Sequence, residues 1–307
     1  MCRGTLGGTF SIATGATIEF QSATTDVTGT GSGSGTFLVD GGTVLACAIN
    51  TPVDLQSGEL DPRGSACSLT NLDMTGGTLG DPSSTATVGL TYTGTFTWTG
   101  GNFEAPAGIS SQPVLAQSGT AADTITTPAA HINNWSFELD GPLALSGTFY
   151  AENGASVTVS GVATLSSGTD LSYQGGSLGS FTIESGGSLD LPSASATIGI
   201  PVVNDGTVSV GTGKLSVGST FSSISGSTLT FTISGTTAGT NQGQVDITGA
   251  MTIAGTLDVT TSGLTPTAEE QFTIAKFASE SGSFSTTSDP GYGAPAISSS
   301  EIVLTAV

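Results

Sequence analysis

The sequence predicts an all-β fold, a single-stranded parallel β-helix of about 20 residues per coil with a C-terminal β cap. Three observations carry this. A short phrase recurs: two alternating apolar residues, a glycine turn, a small polar residue and a further apolar residue. Equivalent positions repeat at a near-constant interval: Leu60 to Leu79 is 19 residues, Leu79 to Phe103 is 24 and Gly187 to Gly206 is 19. The texture is uniform, with 46 glycines in 307 residues and Ser and Thr filling most other polar positions. Propeller blades are about twice as long as this interval. An antiparallel sandwich uses Asn-Gly hairpins, whereas the turns here are Gly-Gly and Ser-Gly.

Taken in chain order, residues 1–103 read as regular coils. The phrase is clearest at Leu72-Asp73-Met74-Thr75-Gly76-Gly77-Thr78-Leu79 and at Phe96-Thr97-Trp98-Thr99-Gly100-Gly101-Asn102-Phe103. Alternation places one set of side chains inside, and the glycines supply the positive φ of a sharp corner. Val53 to Leu60 lacks one glycine, and Leu143 to Phe149 is one residue short. Residues 104–135, with Pro106, Pro113 and Pro128, read as irregular loops leaving the coil stack. From Trp135 to about 263 regularity returns, including Leu171-Ser172-Tyr173-Gln174-Gly175-Gly176-Ser177-Leu178 and a longer copy from Phe181 to Leu189. Trp98 and Tyr173 occupy the second apolar slot and are assigned to the core. Pro266, Glu269 and Glu270 then interrupt, so residues 1–263 form the predicted helix and 264–307 a capping segment, because an open solenoid end exposes unpaired strand edges.

Charged residues are only 9% of the chain, and the net charge of −20 arises from the scarcity of bases: Arg3, Arg63, Lys214 and Lys276 are all there are. Clustered Lys and Arg are absent, which excludes nucleic acid as a partner and disfavours anionic membranes. No run of about 18 apolar residues exists, so no transmembrane helix is expected. No export signal is visible at Met1-Cys2-Arg3-Gly4, although the composition points to an extracellular or cell-surface location. Asp40, Asp54, Asp61, Asp73 and Asp81 are spread singly along the sequence, so no metal site and no cofactor are predicted. Cys47 and Cys67 have similar neighbours and lie 20 residues apart, close to one coil. Stacking on successive coils brings them within disulfide range, and a bridge and a reduced ladder both fit this spacing. Cys2 is left without a partner.

Gln244-Val245-Asp246-Ile247-Thr248-Gly249-Ala250-Met251-Thr252-Ile253-Ala254-Gly255-Thr256-Leu257-Asp258-Val259 resembles the late passenger repeats of bacterial autotransporter-like and filamentous-haemagglutinin-like surface proteins. Phe272-Thr273-Ile274 and Gly282-Ser283-Phe284 look like the segment that closes such repeats, and Phe96 to Phe103 and Asn204 to Val217 look like the same class. The resemblance implies a right-handed β-helix displayed on a bacterial surface, often in adhesion. The chain departs from the pattern in showing no outer-membrane barrel or sorting tail.

Catalytic chemistry finds little support. The only histidine, His131, lies beside Trp135, no Asp-Asp pair occurs, and Glu269 and Glu270 would point to opposite sides of a strand. No catalytic residues are assigned. Trp135, Tyr150 and Tyr292 are candidate ligand-binding aromatics, since exposed rings stack on sugars. The expectation is a non-catalytic adhesin or structural rod, secreted or surface-displayed, whose partners are glycans or matrix proteins. The alternative is a carbohydrate-active β-helix enzyme, either polysaccharide lyase or hydrolase. It would require three or more carboxylates with displaced pKa values meeting in a cleft. A second alternative, ice binding, would need Thr-x-Thr motifs such as Thr230-Phe231-Thr232 to recur at a constant interval on one face, and the sequence shows no such constancy.

Overall fold

The computed structural model describes residues 3–63, 67–81, 88–107, 109, 112–193 and 195–307. Cys2 and part of the 104–135 segment lie outside the described residues. Every regular element among the described residues is a β-strand, and the fold is the predicted parallel β-helix. Two compact units are present: Met1–Val157 with Gln174–Gly179, and Thr158–Tyr173 with Ser180–Val307.

In the first unit each coil contributes to three faces. The first face contains Thr9–Ile12, Thr30–Gly33, Ala48–Asn50, Cys67–Leu69, Leu90–Tyr92, Val114–Gln117 and Ser136–Leu139, paired in parallel. The second face includes Leu72–Met74 and Phe96–Trp98; the third includes Thr78–Leu79 and Asn102–Glu104. Both strong copies of the phrase are thus strand, corner, strand. Leu72 pairs with Val53 and with Phe96, and Leu79 pairs with Leu60 and with Phe103. The predicted spacings of 19 and 24 residues are those of the register. At the corners Gly77 has φ 71° and Gly101 φ 88°. A Cβ on Gly101 would meet the carbonyl oxygen of Gly76 at 2.5 Å, so stacked corners need glycine for space as well as for conformation. Where the glycine pair is reduced, Val53–Pro62 and Leu143–Glu152 round the same corner as single long strands.

Inside, alternation delivers one apolar layer per coil. Phe96, Trp98, Phe103, Trp135 and Phe137 are all at most 1% exposed. Phe103 packs edge-on against Trp98 and Phe137, with centroids 4.9 Å and 4.7 Å away, while Phe96 and Trp98 stack. The core also holds the acid Asp123. The Asp123 carboxylate accepts from the Tyr92 hydroxyl at 2.5 Å and from the Phe96 N–H at 2.8 Å. Burial raises the Asp123 pKa above its ordinary value despite these two bonds. Burial, and then the Asp123 carboxylate, hold the Tyr92 phenol well above its own ordinary value, so it remains a donor. Cys47 and Cys67 form a disulfide between successive coils, with Cα atoms 4.3 Å apart.

The predicted irregularity of 104–135 does not hold over Val114–Gln117 and Asp123–Asn133. Val114–Gln117 and the 11-residue strand Asp123–Asn133 are regular ladder members. Pro128 is accommodated where the register shifts between Thr127 and Ala130, at a corner where a missing N–H costs no ladder bond.

The second unit repeats the plan. Ser188 pairs with Thr207, Thr207 with Thr228, Thr228 with Thr256 and Thr256 with Thr286. Two copies of the phrase behave differently from the expectation. Phe181–Ile183 and Ser188–Leu191 lie on different faces, so that glycine turn serves another corner of the coil. After Leu171 no second strand forms; Leu178 is 54% and Tyr173 38% exposed. Pairing of this strand with Ser195–Ile198 covers only Asp170 and Leu171, while on its other side the strand pairs with Leu143–Glu152; Tyr173 stands partly exposed instead of entering the core. In the tail, Glu301–Thr305 pairs antiparallel with Gln271–Lys276 and Ala296–Ile297. This reversal ends the parallel stacking on that face, and it buries Ile302 and Leu304 completely.

Three outcomes follow from this packing. Phe103→Ala should lower stability by about 3–5 kcal/mol in urea unfolding, since the ring is fully buried among aromatic neighbours. Reduction of Cys47–Cys67, which spans 20 residues, should cost roughly 3 kcal/mol, read as a lowered Tm in reductant. Because Asp123 is raised in the folded state, its contribution to stability is complete below the ordinary carboxylate value of 3.8 and is lost as pH rises through the elevated one. Asp123→Asn removes the charge while its one carbonyl oxygen still accepts from the Phe96 N–H and its amide N–H can donate to the Tyr92 oxygen, and urea midpoints from pH 4 to pH 8 should decline less steeply with pH than in the parent.

Candidate functional site

On the third face of the first unit, Val53–Pro62 turns Leu60 inward and presents Glu59 and Asp61 on the opposite side of the strand. On the next coil the Gly80 N–H donates to the Leu60 carbonyl at 2.9 Å, which carries Asp81 to the same place. The carboxylate oxygens of Glu59, Asp61 and Asp81 all lie within 4.8 Å of one another. Acids separated by 20 residues in the sequence therefore meet in space, a correction to their apparent isolation. The Arg63 guanidinium bridges two of them, 2.5 Å from Asp61 and 3.4 Å from Asp81. Glu59 is raised above its ordinary pKa by burial and then by the charges of Asp81 and Asp61. Asp61 is raised by burial, against the opposing hydrogen bond from Arg63.

Beside this cluster is a cavity of about 20 Å³, lined by Asp61, Gly80, Asp81, Glu104 and Trp135 among others. That is room for one water. Glu104 accepts from Asn133 at 2.7 Å, and Asn153 in turn donates to Asn133 at 2.8 Å. Nearby on the same face, His131 Nδ1 is 2.6 Å from Glu152, and its ring lies 4.9 Å from that of Tyr150. The predicted ligand aromatics separate here. Trp135 is 1% exposed and packed edge-on against Phe103. Tyr292, in the second unit, is buried against Phe272, with its hydroxyl 3.0 Å from that of Thr261. Neither ring has a face open to a sugar, because each completes a core layer. Tyr150 alone of the three keeps a partly open ring.

A second, open groove of about 260 Å³ lies on the second face of the first unit, lined by Asp54, Asn71, Asp73, Thr95 and Thr97 among others. Asp54 and Asp73 are register partners. Burial and then the Asp54 charge raise the Asp73 pKa. Neither cluster is visible as a local motif. Both become legible once the 19-residue repeat is used to align Asp54 with Asp73 and to bring Asp61 near Asp81.

The chain matches no protein-family model, and no curated relative is similar to it in sequence.

Proposed function

We propose that the protein is a secreted or surface-displayed β-solenoid that binds glycans or matrix proteins without catalysis, as an adhesive or structural module. The observation that carries this reading is the open groove over Asp54 and Asp73. Its 260 Å³ corresponds to roughly eight waters, and its lining of carboxylates, amide and threonine hydroxyls suits the hydroxyls of a saccharide. The Cys47–Cys67 disulfide supports an oxidising location. The carbohydrate-active enzyme is the weaker reading. Three carboxylates do converge, two of them with raised pKa values. However, the cavity beside them takes a single water where a glycosidase needs a sugar ring between its two acids.

One observation favours a second reading. In the second unit Ser188, Thr207, Thr228, Thr256 and Thr286 align as an outer column although their sequence intervals differ. Constancy of interval, which the sequence lacks, is not required when extra residues leave the coil elsewhere. The adjoining column, however, mixes Asp190 and Asp258 with Ser209, Thr230 and Ser288. Charges there disrupt the regular hydroxyl lattice that ice binding needs, so adhesion remains the preferred function.

The test is a glycan and matrix-protein array probed with the whole chain, with product release scored on the same polysaccharides. Binding without release is the expected result. Asp73→Ala should weaken it by about tenfold, the worth of one hydrogen bond to a charged group. Product release would establish the enzyme instead, and inhibition of ice growth with a silent array would establish the second reading.

A further inference from the structure

We propose that Glu59, Asp61 and Asp81 form a binding site for a calcium-type divalent cation, completed by a water held against the indole N–H of Trp135. The donor set is carboxylate oxygen alone, the chemistry of a hard cation. Oxygens bound to one such ion at 2.3–2.6 Å are at most about 5 Å apart, and the three carboxylates lie within 4.8 Å of one another.

Trp135 supplies an independent reason for a ligand. Its side chain is 1% exposed, and its Nε1 is buried with no hydrogen-bond partner among the described residues. A buried donor left unmade is costly, and an indole N–H can only be satisfied by an oxygen lone pair. The indole lines the cavity with Asp61, Asp81 and Glu104, and that cavity has room for one water. A water there accepts from Trp135 and turns its second lone pair to a cation on Asp61 and Asp81. Its own hydrogens remain available to the Glu104 carboxylate. Gly80 keeps this approach open: a Cβ at that position would lie 3.1 Å from Nε1.

Charge points the same way. Three carboxylates face one guanidinium, and Arg63 is 51% exposed. It can retain Asp61 and yield its longer contact to Asp81 when an ion enters. This site is independent of the glycan-binding reading, since it concerns a different face and needs no saccharide.

Terbium(III), a hard-ion probe for calcium, tests the site on the whole chain by emission excited through indole. The expected result is saturable emission that calcium displaces, together with a calcium-dependent rise in Tm. Trp135→Phe should remove most of the emission while the Tm response persists, because Trp135 is the indole that lines the cavity beside the carboxylates. Asp81→Asn should weaken calcium binding roughly tenfold or more, and Arg63→Gln should leave it equal or tighter. The proposal is overturned if millimolar calcium leaves the Tm unchanged and terbium gives no sensitised emission, or if Asp81→Asn binds as the parent does.

Discussion

The parallel hydrogen-bond ladder between successive coils is the constraint on which the rest depends. A strand can join the ladder only if its inward residues lie directly over those of the coil before, because a slip of one residue would turn every core side chain to solvent. Val53, Leu72 and Phe96 satisfy this at intervals of 19 and 24 residues. Length is therefore free to vary where nothing is paired, while register is held wherever strands stack.

The ladder also explains the composition. A coil encloses a core only one side-chain layer thick, so each inward position must be filled from its own coil and its two neighbours. In the first unit large rings do this, with Phe96 and Trp98 over the second face and Phe103 on the third. The corners are so close that a Cβ would strike the backbone of the coil below, as at Gly101. Glycine abundance is thus a steric consequence of stacking. Asp123, an acid taken inside, is tolerated because Tyr92 and Phe96 donate to both of its oxygens.

Outward positions obey the same register, and that is how the surface acquires chemistry. Residues far apart in the chain become neighbours about 4.8 Å apart. Hydroxyl columns arise in this way in the second unit, and carboxylate clusters in the first. With so few bases available, the close approach of Glu59, Asp61 and Asp81 is only partly neutralised, by Arg63. Burial and then like-charge crowding raise Glu59, a condition that a bound cation would relieve. The paired Asp54 and Asp73 present the same kind of charge in a more open setting, where a larger polar ligand has room.

Fold class, coil length, corner glycines and the inward placement of Trp98 were legible in the sequence, because alternation and repeat length are local consequences of strand geometry. The neighbourhood of Cys47 and Cys67 was legible too, although only the stacked coils decided that they are bonded. Asp123–Asn133 was misread as loop because Pro and Ala obscure a strand whose regularity comes from its ladder partners. Tyr173 was misread for the opposite reason: its alternation is sound, but the pairing with Ser195–Ile198 ends at Leu171 and leaves its ring partly exposed. The burial of Trp135 and Tyr292 and the meeting of Asp61 with Asp81 could be decided only by tertiary structure. Such contacts run between coils, so they depend on how many residues each coil spends before returning to register, a quantity no local pattern records.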